Sequence, residues 1–289
     1  MARKQLSDEE KIILETRVGP QLQKEEFALI PINGKNYKMS YCKIGNDNKD
    51  VIVLLPGFGS GWTGISLLGV ELAKLGYRVF MPSLLGYGNS DNPPMYRYSD
   101  FLCEASWLHA WTSKVLPDKG IHWVGHSMAS PIITELAAMS PDKVASLILL
   151  DPVGFQRRGM TELAVKFVTN GIGHAIDFAG DPRWEILKKF LPKEKSPFAK
   201  DRIKQRISEW KRLCNNGYVL IELRKVVKEK PARCIFGEND SLALVIDVDC
   251  DRFWYVPLPG LWHNTTMFGS EETAKAIGSF VTYVSHQDT

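Results

Sequence analysis

The sequence has little that would indicate a metal site, a disulfide framework or a membrane span. Its five cysteines, at positions 42, 103, 214, 234 and 250, are widely scattered, and no pair has Cys-x-x-Cys spacing. No apolar run approaches the roughly 20 residues that a membrane-spanning helix needs. The first ten residues are polar and lack the apolar core of a secretory signal. We therefore expect reduced thiols, no metal site, and a soluble, cytoplasmic protein.

An excess of charge of one sign is also missing from the chain as a whole. Its 36 Lys and Arg against 33 Asp and Glu give a net charge of only +3, which excludes a general affinity for nucleic acid. The exception is local, because residues 181–230 contain 15 basic and 7 acidic side chains, a net charge of +8. This segment predicts weak contact with an anionic substrate, an acyl carrier protein or an anionic membrane surface; the alternative is a solvated helix face.

Apolar runs alternate with helical patterns along most of the 289 residues, which predicts an α/β fold with a mostly parallel central sheet and helices on both faces. We predict three parts: an N-terminal helical extension on the surface (1–24), a core (25–154 and 213–289) and an inserted helical cap (155–212). Ser7 and Glu10 form a capping box in the extension. The cap has helical patterns without a convincing strand. The predicted strands are 27–32, 37–44, 51–55, 77–81, 121–125, 145–150, 232–236 and 253–258, and the predicted core helices are 65–75, 99–116, 128–139 and 270–285.

The segment around Ser127 predicts a sharp strand-to-helix turn with a hydroxyl at its apex. An apolar run ends at Gly125-His126-Ser127, and a helical pattern begins at Met128-Ala129. Such an elbow strains the backbone at the serine, so the residues two positions before and after it must be small. Gly125 meets this condition fully and Ala129 only in part. We predict that Ser127 is a nucleophile.

A serine hydroxyl needs a base, and the base needs a group that orients it. His263 follows the last predicted strand, in a loop that can return to the elbow, and is the predicted base. Asp240 follows the penultimate strand in Gly-Glu-Asn-Asp and is the preferred acid. Two alternatives remain open: Glu238, two positions earlier, and Asp151, at the end of the preceding strand.

Backbone N–H groups must hold the oxyanion that forms when a serine attacks a carbonyl. Met128, at the start of the elbow helix, and Phe58, in the loop Pro-Gly-Phe-Gly-Ser-Gly, are predicted to supply them. Gly57 and Gly59 would let that loop approach the serine closely.

The chain order Ser-Asp-His, together with these loops and the Gly-His-Ser-Met turn, resembles the α/β-hydrolase superfamily over roughly residues 25–285. The resemblance implies the α/β-hydrolase fold, a cap formed by residues 155–212, and Ser127, Asp240 and His263 as the catalytic triad, without a cofactor. Three departures are Pro56 where the loop usually has His, Ser83 where Asp is common, and Ala129-Ser130 where Gly-Gly is typical.

We therefore expect a serine carboxylesterase or lipase-like hydrolase that acts on a small to medium hydrophobic acyl ester through an acyl-enzyme. Two alternatives stay open: a hydrolase of carbon–carbon bonds in ring-cleavage products, and a slow-turnover ligand receptor of the same fold. The substrate and the oligomeric state do not follow from the sequence.

Overall fold

The computed structural model describes residues 6–45, 50–93, 101–116, 120–178, 181–215, 218–243, 246, 248 and 250–287, with the backbone alone for 171–178 and 215. Residues 1–5 of the predicted extension and 99–100 of the predicted helix 99–116 lie outside this set. The strands are β1 (Glu25–Ile32), β2 (Lys35–Gly45), β3 (Val51–Leu55), β4 (Arg78–Pro82), β5 (Ile121–His126), β6 (Val144–Leu150), β7 (Ala232–Gly237) and β8 (Phe253–Leu258).

These strands form one sheet with the order β1-β2-β4-β3-β5-β6-β7-β8. β2 is antiparallel to both of its neighbours, whereas every pair from β4 to β8 is parallel. The predicted mostly parallel sheet is confirmed. Because parallel strands end at the same edge, the loops after β3, β5, β7 and β8 converge on one side of the molecule.

Helices cover both faces of the sheet, as predicted. They are α1 (Asp8–Ile13), α2 (Gly19–Leu22), α3 (Ser66–Lys74), α4 (Leu102–Val115), α5 (Ala129–Met139), α6 (Met160–Phe178), α7 (Pro182–Leu187), α8 (Ile203–Asn215), α9 (Val219–Glu229), α10 (Thr265–Phe268) and α11 (Ser270–Gln287). Side chains along β3 alternate between two cores: Val53 packs with α4, α5 and α9, and Leu54 packs with α3 and α11. This alternation is what a strand covered on both sides requires.

The N-terminal extension is attached more firmly than a surface segment would be. The capping box of Ser7 and Glu10 is present, and the outward side chains are exposed. Leu14 and Leu22, however, are completely buried in the core that contains α3 and α11. The predicted helix lies on the surface, and these two leucines anchor it by completing that core.

Helices α6, α7 and the first part of α8 lie in the inserted segment, whose described residues contain no strand. The predicted boundary at residue 212 falls inside α8, so this helix runs from the insertion into the core. None of the helices within the described ranges is long and apolar enough to cross a membrane.

The inward face of α8 is charged, and it rests on the loop after β4. Arg202 donates to the carbonyl oxygens of Gly88 and Ser90, both at 3.1 Å, and Arg206 lies over the ring of Tyr87 at 3.5 Å. The Tyr87 hydroxyl donates to Glu209 at 2.6 Å. These contacts, with the ion pair of Arg206 and Glu209 at 3.2 Å, bind the insertion to the core through a buried polar interface.

The same interface changes how the basic segment is interpreted. Arg202, directly before α8, and Arg206 and Arg212, on α8, are buried, and Arg212 forms a two-point ion pair with Glu104 of α4 at 2.5 and 2.6 Å. Arg183 on α7 pairs with Asp181 and Glu71. Four of the 15 basic residues of segment 181–230 therefore hold the structure together, and the lysines and Arg224 supply the exposed positive charge.

Candidate active site

The turn at Ser127 has the strained geometry that the sequence predicts. β5 ends at His126 and α5 begins at Ala129, and between them Ser127 has a φ of 53°, a value that residues with a side chain rarely adopt. The Ser127 N–H donates to the carbonyl oxygen of Leu150 at 2.8 Å, which fixes the turn to β6. The hydroxyl thus lies at the carboxyl edge of the sheet, at the start of a helix.

His263 lies between Ser127 and Asp240. Its Nε2 atom is 2.8 Å from the Ser127 Oγ, and its Nδ1 atom is 2.8 Å from the Asp240 Oδ2. An ionised carboxylate can only accept, so Nδ1 carries a proton and Nε2 of the neutral ring accepts from the hydroxyl. Three residues that are far apart in the chain are thereby in the arrangement that lets an imidazole remove a serine proton.

His263 and Asp240 each stabilise the charged form of the other. Burial disfavours the charged form of His263, but the adjacent Asp240 carboxylate outweighs it and raises the pKa of the imidazole. Burial also opposes ionisation of Asp240, yet His263 and the N–H group of Leu242, at 2.7 Å, hold the pKa of this carboxyl below its usual range. Asp240 is therefore an anion at neutral pH, ready to stabilise an imidazolium.

The two alternative acids have other partners. Asp151 is completely buried; its Oδ1 accepts from the Gly237 N–H at 2.9 Å, and its Oδ2 accepts from the N–H and hydroxyl of Thr265 at 3.1 and 2.7 Å. Glu238 accepts from the Gly260 N–H at 3.2 Å. Neither carboxylate bonds to the His263 ring, so Asp240 is the one of the three predicted acids that contacts the imidazole. Asp151 instead ties together the loops that carry Asp240 and His263.

His126 also supports the His263 loop. Its Nε2 atom lies 3.0 Å from the carbonyl oxygen of His263, so this nitrogen carries the proton and donates. The ring of His126 lies beside the loop after β3, because a Cβ atom placed on Gly57 would be 3.0 Å from its Nδ1 and 2.9 Å from the Ser127 Cβ. Gly57 is therefore needed for the close approach of that loop to the serine.

The two predicted oxyanion donors have free N–H groups. Phe58 follows Gly57 and lines the cavity at Ser127, and Met128 directly precedes α5. Within the part of the chain that the structure describes, neither backbone N–H donates a hydrogen bond. Gly59 has a φ of +78°, which bends the loop after Phe58.

Ala129 fits its position without strain. The close contact at the elbow is at Gly125, because a Cβ atom there would lie 2.7 Å from the Ala129 carbonyl oxygen. The Ser130 hydroxyl donates to the Gly125 carbonyl at 2.6 Å and adds a bond across the turn. The elbow thus requires glycine at 125 and accepts Ala129-Ser130.

A cavity of about 190 Å³ opens above Ser127. Its lining is mainly apolar, with Phe58 and Ile65 from the core, Phe167 from α6, Leu242 from the loop after β7, and Met267 from α10. No Lys or Arg is among its described lining residues. A larger depression of about 570 Å³ lies at the opposite edge of the sheet, near Gly120 and Pro231, away from the strand ends where ligands of such sheets bind.

Asn170 on α6 is a lining residue that the sequence does not indicate. Its side chain is 1% exposed, and its amide nitrogen donates to the Lys166 carbonyl at 2.8 Å and to the Ser241 hydroxyl at 2.9 Å. The Lys166 carbonyl only accepts, which fixes the orientation of the amide. The Asn170 Oδ1 is then a buried acceptor without a partner among the described residues. A single asparagine within a helical pattern carries no signal that would have identified it.

Comparisons with known proteins agree with this geometry. Residues 50–244 match the family model described as alpha/beta hydrolase fold. Lipase 1 from Psychrobacter immobilis is 30% identical over 220 residues, which cover 71% of this chain and 67% of that protein. A 2-hydroxy-6-oxononadienedioate/2-hydroxy-6-oxononatrienedioate hydrolase from Paraburkholderia phymatum is 33% identical over 167 residues, 55% of this chain and 54% of that protein. A solved esterase from Thermogutta terrifontis has a TM-score of 0.68 at 17% identity, covering 90% of this chain and 99% of its own; this likeness concerns the fold alone.

Proposed function

This chain belongs to the α/β-hydrolase fold family, and from that membership we propose that it is a serine hydrolase that cleaves carboxylic esters with small to medium hydrophobic acyl groups. The observation that carries the proposal is the position of His263, which lies 2.8 Å from both the Ser127 hydroxyl and the Asp240 carboxylate. Relatives named as lipases and hydrolases support the general class.

In the proposed reaction, the Ser127 Oγ attacks the ester carbonyl while His263 Nε2 takes its proton. The tetrahedral intermediate collapses, the carbon–oxygen bond to the alcohol breaks, and His263 gives the proton to the leaving oxygen. Water then attacks the acyl-enzyme, again with His263 as base, and the acid and free Ser127 are released. Asp240 stabilises the imidazolium in both halves of the reaction.

The N–H groups of Phe58 and Met128 are proposed to bind the oxyanion of both tetrahedral intermediates. They meet the main requirement for such donors, since they are fixed by the loop and the helix start and have no other partner among the described residues. Loss of one such donor typically costs about 100- to 1,000-fold in kcat.

The cavity supports a compact, mostly apolar substrate. Its volume of about 190 Å³ suits a short acyl chain, and longer chains would extend along the aromatic side chains at its mouth. Asn170 lines this cavity and its Oδ1 has no partner among the described residues, so an ester whose O–H or N–H donor reaches this atom would gain a hydrogen bond.

Hydrolysis of a carbon–carbon bond is a second candidate, favoured by the similarity to the Paraburkholderia phymatum hydrolase. The name of that relative describes a dioate substrate, which carries two carboxylates. Because no cation is among the described lining residues of the cavity, the ester reaction is the better-supported proposal.

The proposal is tested by the hydrolysis of p-nitrophenyl acetate, butyrate and decanoate by the parent protein, Ser127→Ala and Ser60→Ala. Ser60 is a matched control, since it lines the same cavity while its hydroxyl bonds to the Gly61 carbonyl. We expect Ser127→Ala to lose about 10⁶-fold in kcat and Ser60→Ala to remain active. Full activity of Ser127→Ala would refute the proposal. If the parent protein released a single burst of p-nitrophenol and then did not turn over, the result would favour the receptor alternative.

A further inference from the structure

Helix α8 has its polarity reversed relative to a helix on a water-exposed surface. Its inward face carries the buried arginines and Glu209, whereas Ile203 and Ile207 point outward and are 44% and 52% exposed. At 100° per residue, Ile203, Ile207 and Trp210 lie within about 60° of arc on the helix surface. A helix that faces water has its apolar stripe directed inward. The outward stripe of α8 therefore suits a surrounding that is itself apolar.

This stripe continues to the mouth of the Ser127 cavity. The Trp210 ring contacts Phe58 and Phe167 at centroid distances of 5.6 and 5.5 Å, and Phe198 contacts Phe58 at 6.3 Å. Phe58 and Phe167 both line the cavity. We call the exposed apolar residues of this surface the cap rim: Phe167, Val168, Phe198, Ile203 and Ile207, each between 42% and 59% exposed. A contiguous exposed apolar surface of this kind is typical of an interaction site.

Four exposed lysines border the cap rim: Lys195, Lys200, Lys204 and Lys211, each within four positions of a rim residue. No ion pair of these lysines occurs among the described residues, in contrast to Lys166 and Lys188, which pair with neighbouring glutamates. Asp201 is the one exposed carboxylate in segment 195–211. The border of the cap rim is therefore positively charged.

We propose that the cap rim docks on the surface of an anionic phospholipid bilayer. The rim side chains would enter the boundary between headgroups and acyl chains, and the four lysines would contact the anionic headgroups. Docking in this orientation turns the mouth of the Ser127 cavity toward the lipid. It requires no chemistry at Ser127, so it is tested independently of the proposed esterase activity.

The test is cosedimentation of the full-length Ser127→Ala protein with vesicles of phosphatidylcholine alone or mixed with phosphatidylglycerol. We expect binding to the mixed vesicles that weakens with added salt. The double variant Lys204→Gln with Lys211→Gln should bind roughly 25-fold more weakly, since each lysine near an anionic surface contributes about fivefold. The matched control is Lys225→Gln with Lys228→Gln, which removes the same charge from α9 and should bind like the parent.

Ile207→Ser tests the apolar part of the surface. This exposed substitution should leave the thermal unfolding temperature unchanged and weaken binding to the mixed vesicles. Failure of the Ser127→Ala protein to bind mixed vesicles, or equal loss of binding in the α9 control, would overturn the proposal. A concentration-dependent dimer that Ile207→Ser abolishes, or capture of an acidic carrier protein without vesicle binding, would assign the rim to a protein partner and would also overturn it.

Discussion

The Asp151 Oδ2 lies 2.7 Å from the Thr265 Oγ1, two positions beyond His263, while the Asp151 Oδ1 accepts from Gly237, three positions before Asp240. One buried carboxylate thus joins the two loops that carry the base and the acid. Asp151 lies at the end of β6, a position from which a carboxylate could also orient the base. Its two oxygens, however, accept hydrogen bonds from Gly237 and Thr265 in these loops. It is a positioning residue, and Asp240 contacts the imidazole.

The two aspartates should therefore respond differently to substitution by asparagine. Asp240→Asn places an amide against His263 Nδ1 and favours the wrong tautomer, so kcat should fall by about 10⁴-fold, with little change in unfolding temperature at pH 9, where the charged pair contributes least to stability. Asp151→Asn should lower stability by about 2 kcal/mol, because charge-assisted hydrogen bonds are lost. Its effect on kcat should not exceed about 100-fold, since it acts through loop position. Steady-state kinetics and thermal unfolding check both; equal losses of kcat would contradict the assignment.

The pH dependence of activity should follow His263. The imidazole must be neutral to accept a proton, so kcat/KM should rise with pH through its raised pKa. Asp240→Asn removes the carboxylate that raises this pKa, leaving burial to lower it. The titration of His263, followed by proton NMR with His263→Gln to assign the signal, should therefore move to lower pH in Asp240→Asn. An unchanged or upward-shifted titration would contradict the electrostatic account.

The same pair should contribute to stability in a defined pH window. The pKa of His263 is raised on folding from 6.5, so its contribution is complete below pH 6.5 and is lost as pH rises through the folded pKa. The pKa of Asp240 is lowered from 3.8, so its contribution is present above pH 3.8 and is lost as pH falls through the folded value. Asp240→Asn should therefore destabilise the protein more at pH 5 than at pH 9, as measured by urea unfolding.

Ala129 should not limit turnover. Ala129→Gly should leave kcat unchanged and lower stability by about 1 kcal/mol, because glycine is unfavourable within a helix. Gly125→Ala should destabilise the fold by about 1–3 kcal/mol, since the new methyl group would approach the Ala129 carbonyl oxygen to 2.7 Å. Steady-state kinetics and urea unfolding of both variants check these expectations. A large increase of kcat in Ala129→Gly would show that alanine at this position slows turnover.

Asn170 should affect substrate choice. Asn170→Leu removes the free acceptor, so kcat/KM should fall about 10-fold for an ester with a hydroxyl group beside the carbonyl, with little change for the ester without it. Asn170→Asp keeps an acceptor and should retain the preference. The comparison uses lactate and propionate esters of the same alcohol, and equal losses for both esters would indicate a structural role.

Much of the fold could be predicted because its signals are local. The run Val51–Leu55 has the composition of a strand covered on both faces, and the structure places β3 there. The turn at Ser127 follows from an apolar run that ends at glycine and meets a helix. The order of strands and helices then brings the loops bearing Ser127, Asp240 and His263 to one edge of the sheet.

What could not be predicted depends on contacts between distant residues. Arg212 and Glu104 are 108 positions apart, and nothing near either residue indicates their pairing. The choice between Asp151 and Asp240 required knowing which loops close around each carboxylate. Asn170 lies in a helix whose direction over the cavity is set by tertiary packing. The basic character of segment 181–230 was evident, but its division into buried arginines and exposed lysines was not.

The central claim is that His263 activates Ser127 as a nucleophile. The most direct measurement is the reaction of the protein with a fluorophosphonate probe, followed by intact mass and peptide mapping, in the parent, Ser127→Ala and His263→Ala. We expect one probe per parent chain on Ser127, no addition to Ser127→Ala, and addition to His263→Ala slowed by several orders of magnitude. An unlabelled parent chain, or a probe attached at a residue other than Ser127, would contradict it.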